Sequence, residues 1–261
     1  MEQQKEREHT MERGRVILAA VLPLLTLLFT LIGLALPPRT KSADAAATEP
    51  PATVAATTAP TEPATQPPTT ADGPAKDDPL LLLVNASHPI PENYTPELTR
   101  LQDWDLSVAS VCYDDLREML AAGRATGLSF QIASAYRTRD EQQKLFNEDV
   151  KKRVDEGMTE AEAKEETVRY TSEPGYSEHE TGLALDIVAM SNQLLDDTQE
   201  QTGETRWLHS HAWEYGFILR YPKDKEDITG IAYEAWHYRY VGKEAAAYLH
   251  QNDLTLEEYL Q

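Results

Sequence analysis

The longest hydrophobic stretch of the chain lies near its N-terminus, at residues 16–36, which read VILAAVLPLLTLLFTLIGLAL and contain no charged side chain. A helix that rises about 1.5 Å per residue needs roughly 20 apolar residues to cross a hydrocarbon layer of about 30 Å. We therefore expect a single-pass membrane anchor, with residues 1–15 as a cytoplasmic tail and the remaining chain outside the cytoplasm. A cleaved signal peptide is the alternative, because small residues (SADAAA) follow at 42–47, but the apolar run exceeds the usual signal core.

The chain changes character after this stretch. Residues 37–79 are rich in Ala, Thr and Pro and have almost no large apolar side chains. Such a composition cannot bury enough apolar surface to offset the entropy of ordering, so we expect a disordered linker. A spacer of this kind would hold the following domain, predicted at 80–261, away from a membrane surface.

Helical and strand patterns interleave irregularly within residues 80–261. Helices are predicted at 113–124 and 138–154, and the second begins with a capping-box pair, Thr138 and Glu141. Four stretches rich in apolar, β-branched or aromatic residues predict strands: 80–84, 128–136, 182–189 and 231–241. This mixture favours an α+β fold.

Charge and cysteine content narrow the classes of function. The formal net charge is −20, and because binding to phosphate backbones needs a basic face, we expect no nucleic-acid partner. Cys112 is the only cysteine in the sequence, so no intramolecular disulfide can form. The domain must therefore be stabilised by its core or by a metal.

The first candidate for chemistry is the segment SEHETGLALDIVAM. In its strand-like part, large apolar residues alternate with Gly, Ala and finally Asp186, so one face carries small residues and a carboxylate. A partly buried carboxylate is costly unless it meets a cation, and His179 lies close by in the sequence. A metal site is one interpretation, and a surface loop followed by an ordinary strand is the other.

The second candidate is YEAWHYRY, in which Glu234 and His237 are three residues apart. In a regular strand these side chains would point to opposite faces, so their convergence requires a bend. With such a bend, His237 could join His179 and Asp186 as three ligands of a catalytic zinc, with one position open. Glu234 could then transfer protons. An aromatic-rich core strand with surface Glu and His is the alternative.

The two segments together resemble the VanY-type D-alanyl-D-alanine carboxypeptidases, a family of zinc peptidases. The family motif reads S-x-H-x-x-G-x-A-x-D, followed much later by E-x-W-H. Every fixed position is present: Ser177, His179, Gly182, Ala184, Asp186, Glu234, Trp236 and His237. The resemblance covers essentially all of residues 80–261 and implies the small α+β fold shared by D,D-peptidases and the hedgehog signalling domain.

The resemblance also implies roles for individual residues. The Zn²⁺ ligands correspond to His179, Asp186 and His237, and the catalytic base corresponds to Glu234. Arg137 matches the family arginine that faces the scissile carbonyl, where a guanidinium can stabilise the developing oxyanion. Three further positions match residues of the substrate pocket: Gln142, Ser177 and Trp236.

The implied substrate is a peptidoglycan stem peptide that ends in D-Ala, from which the enzyme would remove the last residue. Three alternatives stay open: an L,D-carboxypeptidase, a D,D-dipeptidase, and a wall-binding module whose zinc is structural.

Two departures from the common family pattern bear on the site. Ala235 replaces a frequent proline, which leaves the aim of Glu234 in question, and Glu180, next to a ligand, is expected to be an exposed loop carboxylate.

Overall fold

A computed structural model describes residues 73–261 of the chain. The predicted tail and anchor, and the linker up to residue 72, lie outside the described residues. Within 73–261, no helix is both long and apolar enough to cross a membrane. The described part combines helices with antiparallel sheets, which confirms the mixed character predicted from the sequence.

The centre of the fold is a four-stranded antiparallel sheet with strand order β3-β4-β6-β5, and a separate hairpin pairs β1 with β2. The strands are β1 (Leu98–Leu101), β2 (Leu106–Ala109), β3 (Phe130–Ser134), β4 (Ala184–Ala189), β5 (Phe217–Leu219) and β6 (His237–Tyr240). The two inner strands of the sheet, β4 and β6, carry residues from both sequence motifs. This topology brings the motifs side by side.

Helices and short 3-10 segments surround the sheet. The α-helices of the described range are α1 (Tyr113–Ala125), α2 (Arg139–Asp155), α3 (Glu160–Thr167), α4 (Gly203–His211), α5 (Glu226–Thr229), α6 (Lys243–Asn252) and α7 (Leu256–Leu260). Helices α1 and α2 confirm the predicted helices to within a residue or two. Thr138 and Glu141 form the predicted capping box, because each side chain accepts a hydrogen bond from the other residue's backbone N–H.

The predicted strand at 80–84 is wrong. Asp78 caps a 3-10 helix at Pro79–Leu81, and its carboxylate accepts a hydrogen bond from the Leu80 N–H. The carbonyls of Leu80 and Leu82 accept hydrogen bonds from the Arg239 guanidinium, at 3.0 and 2.9 Å. A buried arginine therefore satisfies backbone groups that would otherwise need a neighbouring strand.

Strand β4 is buried on both faces. Leu185 and Ile187 belong to the main hydrophobic core, which also contains Cys112 and residues from α1, α4 and the neighbouring strands. Ala184 and Asp186 alternate with them and therefore face the other side of the sheet. The predicted contrast between a large apolar face and a small polar face is confirmed, and the polar face carries Asp186, a candidate metal ligand.

Candidate metal centre

The pairing of β4 with β6 places Asp186 directly opposite His237. On the other side of β4, Ser134 of β3 is the partner of Asp186, after a bulge that follows Ile132. Bulges bend a strand and redirect its side chains. Here the bulge lies at the point where β3 leads into the segment that carries Arg137.

His179 reaches the same point from the 3-10 helix Glu178–Thr181, which precedes β4. Its Nδ1–H donates a hydrogen bond to the carbonyl of Ala135 at 2.8 Å. This bond fixes the tautomer and leaves the Nε2 lone pair free, 3.4 Å from Asp186 Oδ2. The contact of the His179 side chain with the backbone of Ala135 thus orients a metal-ligand candidate.

Gly182 of the first motif makes the turn from this 3-10 helix into β4. Its φ of +73° lies in the left-handed region, and its carbonyl accepts a hydrogen bond from the Ala109 N–H at 2.8 Å. A Cβ at this position would lie 2.9 Å from the Ala109 backbone nitrogen. Glycine is therefore needed both for the turn and for the close approach of the hairpin.

His179, Asp186 and His237 fit a zinc ion in both chemistry and spacing. All three are buried, and one ligand atom from each lies within 4.8 Å of the others. Tetrahedral Zn²⁺ with bonds of about 2.0–2.2 Å places donor atoms roughly 3.3–3.6 Å apart. Asp186 Oδ2 lies 3.4 Å from His179 Nε2, and the other oxygen, Asp186 Oδ1, lies 3.2 Å from His237 Nδ1. Asp186 Oδ1 is buried and has no hydrogen-bond partner within the described part of the chain.

The protonation of the three groups suits a cation. Burial and then the charge of Arg137 lower the pKa of His179 to about 4, so its imidazole is neutral. Burial alone would raise the pKa of Asp186, but His179 and His237 hold it well below its usual range. Burial likewise opposes charge on His237, whereas the adjacent carboxylates of Asp186 and Glu178 raise its pKa to about 9. A metal at Nδ1 of His237 would replace the proton on that atom.

Glu234 stands beside these ligands because the chain bends before β6. The bend that convergence with Glu234 requires is present: residues 234–237 form a turn in which the His237 N–H donates to the Glu234 carbonyl at 3.4 Å. Glu234 Oε2 lies 3.5 Å from His237 Nδ1. Burial raises the pKa of Glu234 to about 8, opposed mainly by His237, and a cation nearby would lower it.

Ala235, at the position where the family resemblance led us to expect proline, is held in another way. Its carbonyl accepts hydrogen bonds from the Tyr238 hydroxyl and from His209 Nε2, each at 3.2 Å. The preceding Glu234 N–H donates to the Tyr221 carbonyl at 3.1 Å. Tertiary hydrogen bonds therefore fix the backbone that aims Glu234, without the restricted φ of proline.

Arg137 is anchored by three side chains at the edge of the site. Its guanidinium donates to Ser134 Oγ at 3.0 Å, to Gln142 Oε1 at 2.7 Å and to Asp186 Oδ2 at 3.4 Å. The Gln142 amide donates in turn to the Ser172 carbonyl at 2.7 Å. Gln142 thus orients Arg137 in addition to lining the cleft.

A cleft of about 790 Å³ opens over the metal centre. Every sequence-predicted site residue lines it: His179, Asp186, His237, Glu234, Arg137, Gln142, Ser177 and Trp236. One face of α2 extends the cleft away from the centre, through Leu145, Asp149 and Arg153. The cleft is therefore large enough for more than one residue of a substrate.

The expectation that Glu180 is exposed is wrong. This residue is only 8% exposed. Its carboxylate accepts a hydrogen bond from the Gly175 N–H at 2.6 Å and one from Arg139 at 3.4 Å. Glu180 therefore stabilises the loop that leads to the metal centre.

A buried ionic cluster behind His237 escaped the sequence reasoning. It consists of Glu178, Arg220, Arg239 and Glu257, each at most 5% exposed. Burial alone would raise the pKa of Glu178, but Arg220 and Arg239 hold it below its usual range. Two features of the sequence could have indicated this cluster: a charged residue next to His179, and an arginine inside the aromatic run HYRY.

Residues 105–243 match the family model described as VanY, D-alanyl-D-alanine carboxypeptidase. That range contains all the residues assigned above to the metal centre and cleft. The fold and site thus define a zinc-peptidase class of protein. The chain belongs to the VanY D-alanyl-D-alanine carboxypeptidase family, which confirms the resemblance inferred from the two motifs.

The chain is 42% identical over 183 residues to a D-alanyl-D-alanine carboxypeptidase of Enterococcus faecalis, and the match covers 69% of this chain and 65% of that protein. It therefore spans slightly less than two thirds of this relative. VanYB in complex with D-alanine-D-alanine is 41% identical, with a TM-score of 0.64, covering 69% of this chain and 96% of that chain. A VanY D,D-pentapeptidase variant in complex with Zn(II) is 40% identical, also with a TM-score of 0.64, over 69% and 98%.

Proposed function

We propose that this protein is a zinc-dependent D-alanyl-D-alanine carboxypeptidase, which removes the C-terminal D-Ala from peptidoglycan stem peptides. The observation that carries the proposal is the convergence of His179, Asp186 and His237, with the carboxylate of Glu234 3.5 Å from a ligand atom. The complexes of related VanY proteins with Zn(II) and with D-alanine-D-alanine support both the metal and the substrate class.

The residues of the site have different roles in hydrolysis. When bound by the two histidines and Asp186, Zn²⁺ supplies Lewis acidity and makes water acidic near neutral pH. Glu234 accepts the proton of the attacking water and later delivers it to the leaving amine. Arg137 stabilises the oxyanion that forms on the scissile carbonyl, because its guanidinium is already held by three partners. The C–N bond then breaks, giving D-Ala and a shortened peptide.

The test is release of free D-alanine by the purified full-length chain. Three substrates separate the alternatives: a pentapeptide ending in D-Ala-D-Ala, a tetrapeptide ending in an L,D bond, and the dipeptide D-Ala-D-Ala. We expect release from the pentapeptide that stops with a chelator and returns with zinc. Hydrolysis of only the tetrapeptide would favour an L,D-carboxypeptidase, and hydrolysis of only the dipeptide would favour a dipeptidase. Zinc binding without any hydrolysis would favour a wall-binding module.

The proposal includes a membrane anchor at 16–36, with the catalytic domain outside the cytoplasm. It is supported by the uncharged apolar sequence and by a substrate class that belongs to the cell wall. We expect the full chain to remain in the membrane pellet after carbonate washing, and a chain without residues 16–36 to leave it. A mature protein that begins after residues 42–47 would instead identify the apolar run as a cleaved signal.

A further inference from the structure

We propose that Glu178 is a positioning residue for the metal centre, which fixes the tautomer and orientation of His237 from the side opposite the metal. The inference rests on the zinc centre of the proposed function and adds a residue to it. Glu178 lies immediately before the ligand His179, and its side chain is completely buried.

Two buried polar atoms face each other at this point. His237 Nε2 and Glu178 Oε2 are 3.5 Å apart, and neither atom has a hydrogen-bond partner within residues 73–261. Unpaired buried polar atoms are costly, and one proton on Nε2 shared with Oε2 satisfies both. That proton leaves Nδ1 as the free lone pair, on the side of the ring that faces Asp186 and Glu234.

The other oxygen of Glu178 is held in place by two arginines. Oε1 accepts a hydrogen bond from Arg220 Nε at 2.8 Å and another from Arg239 Nη1 at 2.7 Å. Arg220 in turn donates to both carboxylate oxygens of Glu257, at 2.8 and 2.6 Å. The cluster contains two cations and two anions, so their charges offset one another, and its hydrogen bonds prevent rotation of the Glu178 carboxylate.

Because of this arrangement, Glu178→Gln tests whether Glu178 sets the tautomer of His237. The amide oxygen of the glutamine would keep the position of Oε1, because the two arginines offer only donors there. Its NH₂ group would then point at His237 Nε2, which could accept a hydrogen bond only if it carried no proton. The ring would have to carry its proton on Nδ1, the atom that must bind the metal.

The experiment compares the zinc affinity of the unchanged full chain, Glu178→Gln and Glu257→Gln, measured by competition with a chromophoric chelator. Glu257→Gln is the matched control, because it removes the same charge from the same cluster but does not face His237. We expect zinc affinity to fall roughly 10- to 100-fold in Glu178→Gln, and to fall clearly less in Glu257→Gln, which acts on His237 only through Arg220 and Glu178. Equal losses in both variants, or no loss in Glu178→Gln, would overturn the inference.

A second measurement does not depend on the folding of a variant. In the zinc-loaded unchanged protein labelled with ¹⁵N-histidine, we expect His237 to carry a proton on Nε2 and the metal on Nδ1. The reverse assignment would overturn the role of Glu178 even if the enzyme is active. Release of D-Ala by an unchanged protein that binds no zinc would overturn the proposed metal centre, and this inference with it. The reverse assignment in a protein that binds zinc would overturn only the role of Glu178, so the two failures can be distinguished.

Discussion

Asp186 of β4 and His237 of β6 are direct partners in the antiparallel register, and Asp186 Oδ1 lies 3.2 Å from His237 Nδ1. Pairing between the inner strands of the sheet therefore sets the distance between two metal-ligand candidates. Because a shift of one residue would turn one of these side chains to the opposite face, the register of the sheet is a condition for the site.

Replacing His237 by alanine should abolish stable zinc binding and D-Ala release together, because only two ligands would remain. Metal content after dialysis, measured by mass spectrometry, and D-Ala release would report the two effects. His250→Ala is the control, since His250 stacks on Trp213 away from the cleft. Stoichiometric zinc in His237→Ala would remove His237 from the ligand set.

Glu234→Gln should separate zinc binding from turnover. The amide keeps the shape of the side chain but cannot accept the proton of water, so we expect kcat to fall by roughly 10²- to 10⁴-fold with zinc content unchanged. Steady-state kinetics on the pentapeptide, together with metal analysis of the same sample, would check this. A variant that keeps the normal kcat would show that another group is the base.

Arg137→Ala should lower kcat by about 10²- to 10³-fold, because the oxyanion would lose its preorganised donor. Gln142→Ala should have a smaller effect in the same direction, since it removes one of the three groups that hold the guanidinium. The kinetic constants of both variants, measured with the pentapeptide, would test the order. A larger loss in Gln142→Ala than in Arg137→Ala would contradict these roles.

Gly182→Ala should destabilise the domain more than Gly230→Ala. The two glycines have similar φ values, +73° and +77°, so each alanine would carry similar strain, of about 1–2 kcal/mol. A Cβ at Gly182 would also lie 2.9 Å from the Ala109 backbone nitrogen, whereas nothing lies within 4 Å of one at Gly230. Urea unfolding midpoints would measure the difference. Equal losses would show that the hairpin can move away.

Arg220→Met should cost about 3–5 kcal/mol of unfolding free energy, because it leaves the buried carboxylates of Glu178 and Glu257 with less compensation. Lys223→Met breaks an exposed ion pair with Glu200 and should cost at most about 1 kcal/mol. Denaturant unfolding of both variants would test this contrast. A loss in Arg220→Met no larger than in the control would show that the cluster adds little to stability.

The sequence predicted the helices α1 and α2 and the capping box of Thr138 with Glu141, because capping depends on residues only a few positions apart. The alternation in β4 was also readable, since side chains of a strand point to opposite faces in turn. At residues 80–84, by contrast, the apolar pattern led to the wrong prediction of a strand. There the backbone partner is Arg239, which is distant in the sequence.

The amino-acid sequence by itself determined which residue types were available for a metal, through the spacing of the two motifs. Only the tertiary structure decided that they meet, because the pairing of β4 with β6 and the turn before His237 join segments that are far apart along the chain. The contact of Glu178 with His237 is of the same kind. Local patterns encode local geometry, whereas the distance between two buried side chains depends on how the whole sheet and its covering helices pack.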